Sequence, residues 1–165
     1  METVAMYWEP QIKTYGFHVV KDLALYKYKI PANLPARWER AIERIEAGQN
    51  RFQLVCVQLS ESSELELLLL CEPAQGVCLA RHIEAEIPAV ADRLQVTTPV
   101  ELLFFQGPHF GDRFGVADFT YQALKEKADL LLAAVFACAS IYLILPEGAA
   151  DETKTRLAAA FRIPG

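Results

Sequence analysis

The sequence predicts an α+β fold built from two copies of one element order, β-α-β-β-α, on three observations. Apolar runs of strand length alternate with stretches whose apolar residues recur at helical spacing. That order of runs occurs twice along 165 residues. No Gly/Ser linker or low-complexity segment separates the copies. Closed by one further strand, each copy has the ferredoxin-like plan βαββαβ, an antiparallel sheet with helices on one face.

The elements follow in chain order. An early strand is expected over Lys13–Val20 and a second over Leu23–Ile30. Pro31 and Pro35 bound a loop, after which Trp38, Ala41, Ile42 and Ile45 mark a helical face that ends near Gly48. Arg51–Leu59 and Glu64–Cys71, joined by the polar SESS, read as a hairpin. A helix from Gly76 towards Glu86 turns Val77, Ala80, Ile83 and Ile87 inward, and Pro88 interrupts it. Leu94–Val100 reads as the closing strand of this copy.

The second copy opens with the strand Val100–Gln106. Val116, Phe119, Thr120, Ala123 and Leu124 mark its first helix, and Ala150, Leu157, Ala160 and Phe161 the inner face of a second over Ala149–Phe161. Between them Leu130–Leu145 carries no charge over sixteen residues. A spanning helix needs about 20, and Cys138-Ala139-Ser140 suits a tight turn, so two buried strands are expected rather than a membrane helix. The expected units are 1–98 and 99–165. The second has no closing strand, and residues 13–20 are the candidate to supply it.

Composition narrows the function classes. The net charge of −5, from 16 basic and 21 acidic residues without a basic cluster, argues against nucleic acid. METVAMYWEPQIK lacks the basic start and apolar stretch of a signal peptide, so a cytoplasmic protein without a membrane partner is expected. Cys56, Cys71, Cys78 and Cys138 are then expected as buried free thiols. Cys71, Cys78 and His82 form C-x6-C-x3-H, which is not a zinc spacing, and no cofactor or metal is expected. No phosphate loop, G-x-S-x-G or H-E-x-x-H motif occurs. Glu84 and Glu86 read as a solvated helix face. Tyr7, Trp8, Tyr15, Tyr26 and Tyr28 read as packing or interface aromatics, because the RNA-binding signature of the same plan is absent.

One stretch carries the functional argument: QGPHFGDRFGVADF, Gln106–Phe119, between the first strand and first helix of the second copy. Free N–H groups and the dipole of a helix N-terminus favour a carboxylate or phosphate. Gly107, Gly111 and Gly115 permit positive φ and close backbone approach. Asp112 suits a helix cap or a ligand ammonium, Arg113 an anion, and His109 is a modest hydrogen-bond donor.

From Val100 to Phe161 the sequence resembles an ACT domain, a small regulatory module of amino-acid metabolism. The family pattern has an apolar strand and a glycine loop ending D-x-P-G-hydrophobic-A. GDRFGVA matches it, with Phe114 where the family usually has proline. The first copy matches in element order only, and its loop IPANLPARW lacks the glycine motif. The resemblance implies modules that pair side by side and bind small ligands, commonly amino acids, near this loop. The ligand residues it implies are Gly107, His109, Phe110, Gly111, Asp112, Arg113, Phe114, Gly115 and Val116. The expected protein is a non-enzymatic, tandem, allosteric amino-acid sensor, a homodimer that acts on a separate enzyme or regulator. A ligand-free interaction module and a small enzyme on the same scaffold are the alternatives.

Overall fold

The computed structural model describes residues 12–30, 51–59, 64–87 and 93–163. The elements are β1 (Phe17–Ile30), β2 (Phe52–Leu59), β3 (Leu65–Cys71), α1 (Pro73–Glu86), β4 (Leu94–Gln106), α2 (Val116–Leu124), a 3-10 helix (Lys125–Leu130), β5 (Ala133–Phe136), β6 (Ser140–Pro146) and α3 (Ala150–Ala160). The fold is α+β, and its six strands form an antiparallel sheet in the order β2-β3-β1-β4-β6-β5. Two compact units divide the chain: Asp22–Val100, and Met1–Lys21 with Glu101–Gly165. The helix expected over 35–48, the SESS turn, Pro88, Tyr7 and Trp8 lie outside the described residues.

Both long strands correct the sequence reading. Lys13–Val20 and Leu23–Ile30 were expected as separate strands, but one strand of fourteen residues runs through Lys21 and Asp22. Asp22 takes φ +58°, which aspartate tolerates as a single residue, so the polar pair does not end the strand. Leu94–Val100 and Val100–Gln106 likewise form one strand of thirteen residues, with Pro99 inside it. β1 and β4 therefore each pass from one unit into the other.

In Asp22–Val100, alternation places Ala24, Tyr26 and Tyr28 of β1 beside Cys71, Leu69 and Leu67 of β3. This face packs against Leu79, Ile83 and Ile87 of the α1 segment. α1 begins three residues earlier than expected because Pro73 takes the first turn, where its missing N–H costs nothing. The inward positions then become Gly76, Leu79 and Ile83, and Val77, expected inside, is half exposed. Gly76 lets the helix backbone lie on the Tyr26 ring, with no room for a Cβ.

In the other unit, Phe17 of β1, Leu103 and Phe105 of β4, and Ile141, Leu143 and Leu145 of β6 meet Val116 and Leu124 of α2 and Ala150 and Leu157 of α3. Phe161, just past α3, joins these layers. Its ring centroid lies 5.1 Å from Phe105, 5.1 Å from Phe119 and 6.3 Å from both Phe17 and Phe110. Such pairs add about 0.5–1.5 kcal/mol each beyond their buried area. Thr120 and Thr153, also buried, donate to the carbonyls of Val116 and Ala149 at 2.8 Å, which satisfies their hydroxyls inside the helices. β5 and β6 form the expected hairpin, closed by Ala137 N–H to Ser140 O at 2.9 Å, but only β6 is largely buried; β5 lies at the sheet edge, half-buried with Phe136 exposed, so the expectation of two buried strands is corrected. No helix among the described residues is long and apolar enough to cross a membrane.

Polar contacts tie the N-terminal residues into this unit. Thr14 donates its hydroxyl to Gln106 O at 2.8 Å, and its N–H to Arg162 O at 2.9 Å. Glu101, 3% exposed, accepts the Ala150 N–H at 2.8 Å where α3 begins, a place at which Ala149 has no capping side chain. Lys21 lies 3.6 Å from Glu101 and 2.9 Å from Asp151. The hydrogen bond and charge of Asp151, and the charge of Glu101, raise the Lys21 pKa.

A variant lacking residues 1–21 loses Ile12 and Phe17 from the cluster, both Thr14 bonds and the Lys21 pairings. We expect it to lose the cooperative unfolding transition of Glu101–Gly165. Urea titration read by near-ultraviolet circular dichroism checks this, and a retained full transition would contradict it.

Candidate functional site

The stretch between β4 and α2 is held from below by Phe110. This ring is buried in the aromatic cluster, edge-on to Phe105 at 5.9 Å. Gly107 is buried beside it, and a Cβ there would collide with the Lys13 carbonyl and the Phe110 ring. A Cβ on Gly111 would collide with Cys138 in the β5–β6 turn. These two glycines serve close approach and not the positive φ expected of all three. The left-handed positions are His109, at φ +62°, and Gly115, at φ +84°.

Asp112 does not cap the helix. Gly115 holds the N-cap position, and it has no side chain to cap the N–H groups of the first turn of α2. Asp112 lies three residues earlier, its carboxylate largely exposed and 3.6 Å from His109 Nδ1. The backbone explains this: the Asp112 N–H bonds to His109 O at 3.1 Å, closing a turn before the helix starts.

The N–H groups of Val116, Ala117 and Asp118 precede the first intrahelical bond of α2, from Phe119 N–H to Gly115 O at 2.9 Å. Beside them opens a groove of about 250 Å³ lined by Phe110, Arg113, Phe114, Gly115, Val116, Ala117, Phe136, Ala137 and Ile141. Phe110, Val116 and Ile141 are buried, whereas Phe114 is fully exposed and Phe136 about half exposed. Arg113 is the one charged side chain of the lining among the described residues. The groove thus combines an anion-favouring helix end, one cation and an apolar wall.

Of the residues expected in the site, the groove brings together Phe110, Arg113, Phe114, Gly115 and Val116. Gly107, His109, Gly111 and Asp112 shape the loop but do not line the groove. Sequence reasoning missed Ala117, Phe136, Ala137 and Ile141. The element order contained the signal for the last three: β6 runs antiparallel beside β4, so the β5–β6 turn lies at the end where β4 finishes.

The other candidate groups separate. Cys71 is buried and Cys56 half-buried, but Cys78 and Cys138, expected inside, are exposed. Cys78 follows Val77 on the outer side of α1, and Cys138 occupies a hairpin turn. No group of three or more metal-ligating side chains occurs among the described residues. Tyr26 and Tyr28 are buried in the α1-facing cluster, whereas Tyr15 is exposed.

Solved structures share this fold. The regulatory subunit of aspartate kinase from Thermus flavus superimposes with a TM-score of 0.77 at 10% identity, over 91% of this chain and 99% of that one. The ligand-free regulatory subunit from Thermus thermophilus gives 0.72 at 12%, over 90% and 99%. E. coli aspartokinase III in complex with lysine and aspartate gives 0.67 at 12%, over 94% of this chain and 35% of that one. At such identities the likeness is one of fold, and it is consistent with an ACT-type fold. No family model and no curated protein matches the sequence.

Two measurements follow. Burial, with a smaller push from Glu72, raises the Cys71 thiol from its ordinary 9.0 to about 11. The native chain therefore holds a proton that the unfolded chain releases between these values. Its contribution to stability is intact below pH 9 and falls as pH rises to 11. Urea unfolding of the parent and of Cys71→Ala across that range should show a shallower decline in the variant. Asp112→Ala, which removes no cap, should change stability by less than about 0.5 kcal/mol. A loss near 1 kcal/mol in the same titration would restore the capping role.

Proposed function

We propose that this chain is a non-catalytic regulatory module that binds an amino acid in the groove beside α2. The observation that carries the reading is the position of the groove. It opens at a helix N-terminus that no side chain caps, next to Arg113 and an apolar wall. The ligand carboxylate takes the N–H groups of Val116, Ala117 and Asp118 with the dipole behind them. α3 of the same unit shows what such an end accepts, since Ala150 N–H there holds the Glu101 carboxylate. The fold shared with regulatory subunits of aspartate kinase supports the regulatory part of the reading.

Regulation then works by differential affinity. A ligand that prefers one arrangement of the chain with a second copy, or with a separate enzyme, shifts that equilibrium by the ratio of its two affinities. The test is thermal stability of the full chain against the twenty amino acids, nucleotides and divalent metals. A ligand at 100 times its Kd adds about 2.7 kcal/mol. At least one amino acid should raise Tm, and Arg113→Ala, which removes the cation of the lining, should reduce the shift. A flat response to every amino acid would overturn the reading.

A further inference from the structure

The lining of the groove narrows the ligand class. We infer that the site takes a small monocarboxylate with a branched or aromatic hydrocarbon tail, and rejects amino acids whose side chains carry a charge. The inference rests on the reading of the groove given above and adds its selectivity.

Three features carry it. First, the walls and floor are apolar: Phe110, Val116 and Ile141 below, with Phe114 and Phe136 exposed at the rim. A hydrocarbon tail placed there covers two aromatic rings that water now reaches. Second, no carboxylate lines the groove among the described residues. Asp112, the nearest acid in the loop sequence, is largely exposed and faces His109, and Asp118 of α2 lies 3.5 Å from Gln122 Nε2. A lysine or arginine side chain would enter an apolar wall without a counter-charge, at the cost of its hydration. Third, the cationic side of the site has one side chain, Arg113, beside one helix end. One carboxylate matches that set, whereas the second carboxylate of aspartate or glutamate would face phenylalanine rings. Size agrees: at about 250 Å³ the groove lies below the range of drug-sized pockets, roughly 300–1,000 Å³, and suits one small molecule.

The shared chemistry is a carboxylate on an apolar tail, and either an amino acid or its 2-oxo acid presents it. Titration calorimetry of the full chain with L-leucine, L-phenylalanine, 4-methyl-2-oxopentanoate, L-lysine and L-aspartate tests the inference. Leucine or phenylalanine should bind at least tenfold more tightly than lysine and aspartate. Equal binding of the oxo acid would support the inference and identify the tail and carboxylate as the recognised groups. Phe114→Ala removes a fully exposed ring, so its fold is retained, and it should weaken the apolar ligands about tenfold. Phe136→Ala on the opposite strand should act in the same direction. Binding of lysine or aspartate as tight as leucine would overturn the selectivity while leaving the regulatory reading intact. Apolar binding unaffected by either phenylalanine variant would overturn the placement. No binding of any compound would overturn the selectivity, and the twenty-amino-acid stability screen then decides whether the regulatory reading falls with it.

Discussion

The Phe161 ring is the contact on which the groove-bearing unit depends. It touches the first strand through Phe17, the central strand through Phe105, α2 through Phe119 and the glycine loop through Phe110. Truncating a ring so placed costs about 3–5 kcal/mol, a large share of what a domain has to spare. The cluster also does something that aliphatic packing does less well. Through Phe110 it fixes the middle of a loop whose two ends are set by β4 and α2. The backbone from Gly107 to Gly115 is therefore pinned at its centre, beside the groove.

A second constraint is polar. Glu101 is a buried carboxylate, and such a group is tolerable only when its oxygens are occupied. The Ala150 N–H takes one oxygen, and Lys21 lies 3.6 Å from the other. Hydrogen bonds to charged groups contribute about 1.5–3 kcal/mol. The pairing also decides where α3 starts, a task that the alanine at its N-cap does not perform.

The sequence showed the class of fold and most elements plainly, because their signals are local. The charge-free run Leu130–Leu145 read as a hairpin from its length and its small-residue turn, and it is one. Continuity of the long strands was hidden. Lys21-Asp22 and Pro99 have turn or breaker chemistry, and only strand neighbours show that the chain runs straight through them. Val77 was misjudged because helical periodicity fixes a stripe but not its phase, which Pro73 and the Tyr26 ring against Gly76 set here. The loop was legible as a special turn, and its division of labour was not. Gly107 and Gly111 are explained by Lys13 and Cys138, residues 94 and 27 positions away in the chain (107−13=94, 138−111=27). Phe136 and Ile141 reach the groove through strand order, which no window along the chain contains.

The two helices of this unit have opposite ends. α3 begins on an internal carboxylate, and α2 begins on a glycine. Amide exchange requires a hydrogen-bond partner to let go before water can remove the proton. The Ala150 proton is guarded by a buried, internally held group, so its exchange waits for an opening of the unit. The protons of Val116, Ala117 and Asp118 have no such guard and exchange on the clock of the loop itself. Under the proposed function, the first turn of α2 is the part of the helix whose protection a bound anion would set, and its exchange rate would report occupancy directly in the absence of any movement elsewhere.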